Sequence, residues 1–164
     1  YLQRNVVFIA YARRNAVEVE AVSEILESFG AEVLYDGKFS TDPGTPWTRI
    51  RDDFIENSRE LLILTTPDIF IDPADPNCLT LREQIQPEVA LAQRLGKPIR
   101  AIILDRPAFN RLLKAGIIAS SDEQMTDLYP EYAINTKGLA SPLAREKLRM
   151  RAIPGMRQYV LDLV

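Results

Sequence analysis

An α/β fold, with a doubly wound, mainly parallel five-stranded sheet and helices on both of its faces, is predicted by two features of the sequence. Apolar, β-branched runs alternate with amphipathic stretches of helical length, and the runs are apolar almost throughout rather than at every second residue. Strands buried on both faces read in that way, and the order βαβαβαβ implies parallel strands joined by right-handed crossovers.

The first strand is Asn5 to Tyr11 (NVVFIAY). Asn15 then serves as a helix cap, with Glu18 completing a capping box, and Val22, Ile25, Leu26 and Phe29 recur at helical spacing up to Gly30. Ala31 to Tyr35 is a short second strand that feeds a Gly-, Pro- and Ser-rich loop, Lys38 to Thr45. Thr45-Pro46 reads as cap and first residue of a helix running to about Asn57. Glu60 to Thr65 (ELLILT) is the third strand, and Pro67 to Asn77 an irregular connection. The next helix ends near Leu95-Gly96, and Pro98 to Leu104 (PIRAIIL) is the fourth strand, after which Asp105-Arg106-Pro107 breaks the pattern. Ile117-Ile118 or Tyr132 to Ile134 supplies a short fifth strand, and Ser141-Pro142 opens a helical extension, 141–164, that Pro154 interrupts.

At 164 residues, 46% hydrophobic and 26% charged, the chain has the size and composition of one globular domain. The absence of histidine removes the Ser-His-Asp triad, the Cys-His dyad and His-ligated zinc. One cysteine, Cys78, excludes an internal disulfide and any thiolate-built metal centre, and points to a structural thiol in a reducing compartment. No metal is expected. The seven glycines stand at 30, 37, 44, 96, 116, 138 and 155, a spacing that fits neither G-x-G-x-x-G nor a phosphate-binding P-loop. The net charge of -3 argues against a nucleic-acid partner, and the basic tail (Arg145, Lys147, Arg149, Arg151, Arg157) reads as a solvated helix face. No apolar run is long enough to span a bilayer, so no membrane association is expected and the location is cytoplasmic. A start at Tyr1 without an initiating Met predicts a piece of a longer polypeptide with further domains.

Ligands of doubly wound sheets gather at the carboxyl ends of the strands, here after Tyr11, Tyr35, Thr65 and Leu104. The residues in those places carry a resemblance. VFIAYARRN (Val7 to Asn15), the Phe29-Gly30-Ala31-Glu32-Val33 turn into a strand ending at Asp36, and Gly44-x-x-Trp47 at a helix start all resemble segments of the TIR (Toll/interleukin-1 receptor) domain. ENSRELLILTTP (Glu56 to Pro67) is similar to that family's third strand, and EVALAQRLGKPI (Glu88 to Ile99) to the segment that holds the catalytic glutamate of its NAD-cleaving members. The resemblance covers about residues 6–105 and implies a flavodoxin-like architecture.

What it implies about function divides in two. Some TIR domains are scaffolds that act by homotypic association; others cleave the nicotinamide-ribose bond of NAD+, as in bacterial antiphage defence, immunity and cell death. Glu88 stands eight residues before Gly96-Lys97, where the enzymes have their glutamate, and favours the second class. NAD+ is then substrate rather than cofactor, the product is ADP-ribose or a cyclic isomer, and TIR-TIR self-association is expected as well. The chemistry suits a chain without histidine, because a cationic pyridinium departs as neutral nicotinamide and needs no general acid. A single carboxylate can stabilise the oxocarbenium-like ribose.

Pro87 is natural only in a first helical turn, which puts Glu88 at a helix N-terminus, where the dipole favours the carboxylate. Glu83 is set aside because Thr80-x-x-Glu83 forms a capping box of its own. By resemblance, Tyr11, Arg13 and Arg14 line the ribose and phosphate side, Trp47 approaches the nicotinamide, and Asp36 and Lys38 flank the long loop. Gln84 stands where several family enzymes have an aromatic residue. Two alternatives remain open: a non-enzymatic scaffold whose Lys38 to Thr45 loop makes homotypic contacts, and a nucleoside 2-deoxyribosyltransferase-like enzyme with the same architecture and a catalytic glutamate.

Overall fold

The computed structural model describes residues 5–38, 44, 46–119 and 156–163. Its centre is a parallel sheet of β1 (Val6–Ala10), β2 (Glu32–Leu34), β3 (Glu60–Thr65) and β4 (Ile99–Ile103), in the order β2-β1-β3-β4. The chain steps from β1 to one edge, then returns past it to build the other. The carboxyl ends of β1 and β3 therefore lie where the winding reverses, the place such sheets offer to a ligand.

Period-two alternation divides each strand between two apolar layers. Val7 and Ile9 of β1, Leu62 and Leu64 of β3, and Ile102 of β4 pack against Val19, Val22, Ile25 and Leu26 of α1 (Ala16–Ser28). Val6, Phe8, Leu61, Ile63, Ala101 and Ile103 face the opposite layer, with Ile55 of α2 (Trp47–Asn57), Val89 and Ala92 of α3 (Gln86–Arg94), and Phe109 and Leu112 of α4 (Arg106–Lys114). Reversing direction between the first and second crossovers, while keeping their hand, is what sends α1 to one face and α2 to the other.

Several expectations about local structure change. Asn15 does sit at the N-cap of α1, but its side chain makes no cap bond; it donates to Asp68 Oδ2 at 3.2 Å and accepts from Thr66 Oγ1 at 2.6 Å. Tertiary bonds to the end of β3 outcompete the local box, and Glu18 is left 1% exposed with neither carboxylate oxygen hydrogen-bonded. Burial raises its pKa, and the nearby Asp68 carboxylate adds to the rise. The second helix begins at Trp47, with Pro46 as the half-in flanking residue. Residues 83–85 form a turn rather than a helical start, so the box expected of Thr80 and Glu83 does not form.

After β4 the Asp105-Arg106-Pro107 break is in fact a helix start. Asp105 Oδ2 accepts from the Ala108 amide at 2.9 Å and Pro107 occupies the first turn of α4. Ile117 and Ile118 lie in a bend and do not form a strand, whereas Tyr132 to Ile134 lie outside the described residues, among which the sheet has four strands. Of the tail, 156–163 is described and helical: Met156, Tyr159, Val160 and Leu163 pack onto the α1 layer while Arg157 is exposed. The Tyr159 hydroxyl donates to Glu60 Oε2, which also accepts from Arg100 Nε at 3.0 Å, so the tail is tied to the starts of β3 and β4. Gly96 ends α3 at φ +68°, and the adjacent Lys97 ammonium donates to the carbonyls of Glu56 and Ser58 at the end of α2. Among the described residues no helix is long and apolar enough to cross a membrane.

Candidate active site

Three segments that leave the carboxyl edge of the sheet converge on one narrow cleft of about 90 Å³, lined by Tyr11, Arg13, Asp36, Trp47, Arg51, Glu83, Gln84, Pro87 and Glu88. Tyr11 directly follows β1. Its hydroxyl donates to the Asp36 carbonyl and its ring meets Tyr35 edge-on, with centroids 5.7 Å apart. Gly37, at φ +92°, completes this join: a Cβ there would lie 3.5 Å from the Tyr11 hydroxyl, in a backbone conformation that L side chains rarely adopt. Arg13, largely exposed, reaches to 3.8 Å from the Asp36 carboxylate.

The opposite wall comes from α2 and α3. Trp47 and Arg51 lie four residues apart and so share a face of α2. The Trp47 ring packs edge-on to Phe54, centroids 6.1 Å apart, and Arg51 pairs with Asp52 at 3.0 Å. Pro87 stands in the first turn of α3 and brings Glu88 with it, as the sequence leads one to expect.

Glu88 is 5% exposed. Burial pushes its carboxyl up to about 8, against the pull of Arg51 and with a further push from Asp36. The helix dipole alone predicts an ionised group, and here it loses: a helix N-terminus is worth about 0.3–1 kcal/mol to a carboxylate, whereas removing that charge from water costs several kcal/mol. At neutral pH that shift favours the protonated form of Glu88. The Tyr11 hydroxyl, raised to about 12 mainly by burial and then by Asp36, stays protonated too.

Of the eight residues singled out from the sequence, six line this cleft: Tyr11, Arg13, Asp36, Trp47, Gln84 and Glu88. Two do not. Arg14 turns toward Asp68, 3.6 Å away, and Lys38 packs across α1 and β2, with its ammonium 2.7 Å from Glu27 Oε1, bonded to the Val33 carbonyl and 5.8 Å from the Tyr35 ring centre. Arg51, Glu83 and Pro87 are the lining residues that sequence reasoning does not place there. Helical spacing from Trp47 marks Arg51, whereas Glu83 is hidden by its apparent capping role. No protein-family model matches the chain, and no curated protein is similar enough to match it.

The raised carboxyl also bears on stability. A native pKa above that of the unfolded chain means that the folded state binds more protons between the two values, so stability is greatest at low pH and is lost as pH rises. The thermal midpoint is expected to fall between about pH 5 and 8, and Glu88→Gln to flatten most of that slope; Glu18, raised in the same direction, leaves a residual slope. Melting curves across this range check it.

Proposed function

We propose that the chain is an NAD+ glycohydrolase or cyclase of the TIR type, on a doubly wound, flavodoxin-like domain, with Glu88 as its catalytic residue. The supporting observation is the pairing of a buried carboxyl with an aromatic ring and two guanidinium groups in one cleft at the switch point of the sheet. Perturbed carboxyls in clefts are where chemistry tends to be done.

The reaction is a single displacement at the ribose. The bond between C1′ and the pyridinium nitrogen breaks, the electron pair leaves on nicotinamide, and the positive charge passes to the ribose. The carboxylate of Glu88 faces that charge, while water adds at C1′ and gives up a proton to yield ADP-ribose; a ring nitrogen of the adenine takes the place of water in a cyclase. The pyridinium cation, once beside Glu88, favours the ionised form, so substrate binding releases a proton and prepares the group it needs. Trp47 supplies an apolar wall for the nicotinamide, Asp36 an acceptor for ribose hydroxyls, and Arg13 and Arg51 the cationic side. The setting is immune defence or cell-death signalling, with self-association of the domain.

The test is nicotinamide release from NAD+ at high protein concentration with a crowding agent, which guards against an enzyme active only when assembled. Release together with ADP-ribose or its cyclic isomer is the expected result. Self-assembly without NAD+ turnover would favour a scaffold, and base exchange between deoxynucleosides with NAD+ untouched would identify a deoxyribosyltransferase.

A further inference from the structure

Glu88 and Arg51 line one cleft from two neighbouring helices, and each reaches it in an unusual state. The carboxyl of Glu88 is buried, yet among the described residues it makes neither a hydrogen bond nor an ion pair. Arg51, on α2, is shielded as well, with its side chain 14% exposed. Its Nε and one Nη each lie 3.0 Å from Asp52 Oδ1, which fixes the guanidinium and leaves the other Nη without a partner among the described residues. Asp52 itself is not part of the cleft lining, and its side chain is 43% exposed. Water therefore screens the charge of Asp52 far more than that of Arg51, so the field of this pair inside the cleft is that of the cation.

The remaining charged and titratable groups of the lining do not do the same work. Asp36, after β2, opposes ionisation of Glu88, and Arg13, after β1, is largely exposed and turned to Asp36 at 3.8 Å. Glu83, before α3, is exposed, and Tyr11 keeps its proton up to about pH 12. Arg51 is thus the shielded cation placed to draw the carboxyl toward its charged form. A guanidinium joined directly to Glu88 would, however, neutralise the charge that the oxocarbenium-like ribose needs. The clamp prevents that join: the ion pair Arg51 makes among the described residues is with Asp52, so it acts on Glu88 across the cleft. We propose that Arg51, braced by Asp52, is the positioning residue that readies Glu88, favouring the carboxylate from a distance while leaving its oxygens to the pyridinium substrate. The inference rests on the function proposed above and adds to it the group that prepares the carboxylate. Two residues with opposite charges then have opposite effects on one ionisation, which no merely structural role would give.

The experiment follows nicotinamide release from NAD+ across pH for wild type, Arg51→Gln, Arg51→Lys and Asp52→Asn, and records melting curves of each protein with and without Glu88→Gln. Arg51→Gln is expected to move the rise of kcat/KM upward by about one pH unit, the low end of what a nearby opposite charge does to a carboxyl. That shift alone lowers kcat/KM at pH 7 about tenfold. Arg51→Lys, which keeps the cation, returns most of it. Asp52→Asn moves the rise to lower pH and reduces the plateau, because the guanidinium is then free to close on Glu88. In the melting curves, the fall in stability that Glu88→Gln removes extends to higher pH in Arg51→Gln by the same amount, and the subtraction cancels the part due to Glu18. A rise that stays in place in Arg51→Gln, that moves the same way in Asp52→Asn, or that lysine does not restore overturns the inference. Failure of the wild type to cleave NAD+ counts against the glycohydrolase reading, and the melting curves then decide alone: a fall displaced by Arg51→Gln keeps the coupling to Glu88, and an undisplaced one removes it.

Discussion

Replacing Glu88 by alanine is expected to lower nicotinamide release from NAD+ by about 10²- to 10³-fold, the cost of removing one preorganised electrostatic stabiliser from a transition state. The fold should survive, because the lost group is a carboxyl that burial disfavours in its charged form. Melting at pH 7 therefore separates loss of chemistry from loss of structure: a midpoint at or above that of wild type is expected. Glu88→Gln keeps the shape and hydrogen-bonding capacity but cannot ionise, and should be as inactive as the alanine variant. If the carboxylate is the working form, kcat/KM, which reports the free enzyme, rises about tenfold per pH unit and levels off near pH 8. The kcat profile lies at lower pH, since the bound cation favours ionisation. An activity that instead falls above pH 8 would mean that protonated Glu88 does the work, and full activity in either variant would place the chemistry on another group.

The parts of this molecule that are legible in the sequence are those in which local pattern and tertiary demand agree. Strands buried on both faces must be apolar throughout, so β1, β3 and β4 declare themselves, and Pro87 in a first helical turn fixes the place of Glu88. Where a residue has two possible partners, sequence is a poorer guide. Asn15 and Glu18 have the spacing of a good capping box, yet Thr66 and Asp68, some fifty positions on, take the amide and leave the carboxyl buried. Lys38 looks like a guardian of the long loop and instead bonds back to Glu27 and Val33. Arg51 belongs to the cleft through its position on α2 rather than through any motif. The protonation of Glu88 is of the same kind: its place at a helix N-terminus is local, but its burial depends on α2 and the end of β2, which no short window contains.

Arg111→Ala is expected to cost about 3 kcal/mol of folding stability, although Arg111 touches neither the cleft around Glu88 nor any residue proposed to contact substrate. Its side chain, on α4, is 5% exposed and all three nitrogens are used: Nε donates to the Cys78 carbonyl at 2.9 Å, one Nη to Pro73 at 3.2 Å and the other to Asp72 at 2.8 Å. The guanidinium also lies 3.9 Å from the centre of the Phe70 ring, a cation held over a π-face and shielded from water. Cation-π contact of that kind is worth about 2 kcal/mol, and each charge-assisted bond about 1.5–3 kcal/mol before water returns to the freed carbonyls. That return is readiest at Asp72, which is exposed, and it holds the net loss well below the sum of these gross contributions, at about 3 kcal/mol. Lysine in this place cannot reach three carbonyls at once, so Arg111→Lys should recover less than half of the loss. Urea unfolding with the slope unchanged and the midpoint lowered is the expected record, and a midpoint shift equivalent to less than about 1 kcal/mol would show that the clasp is dispensable. The loop it closes runs through Ile71 and Cys78 to Leu81 and on to Glu83 and Gln84, so the same residue that stabilises α4 ties down the segment that carries Glu83 and Gln84 to the cleft around Glu88.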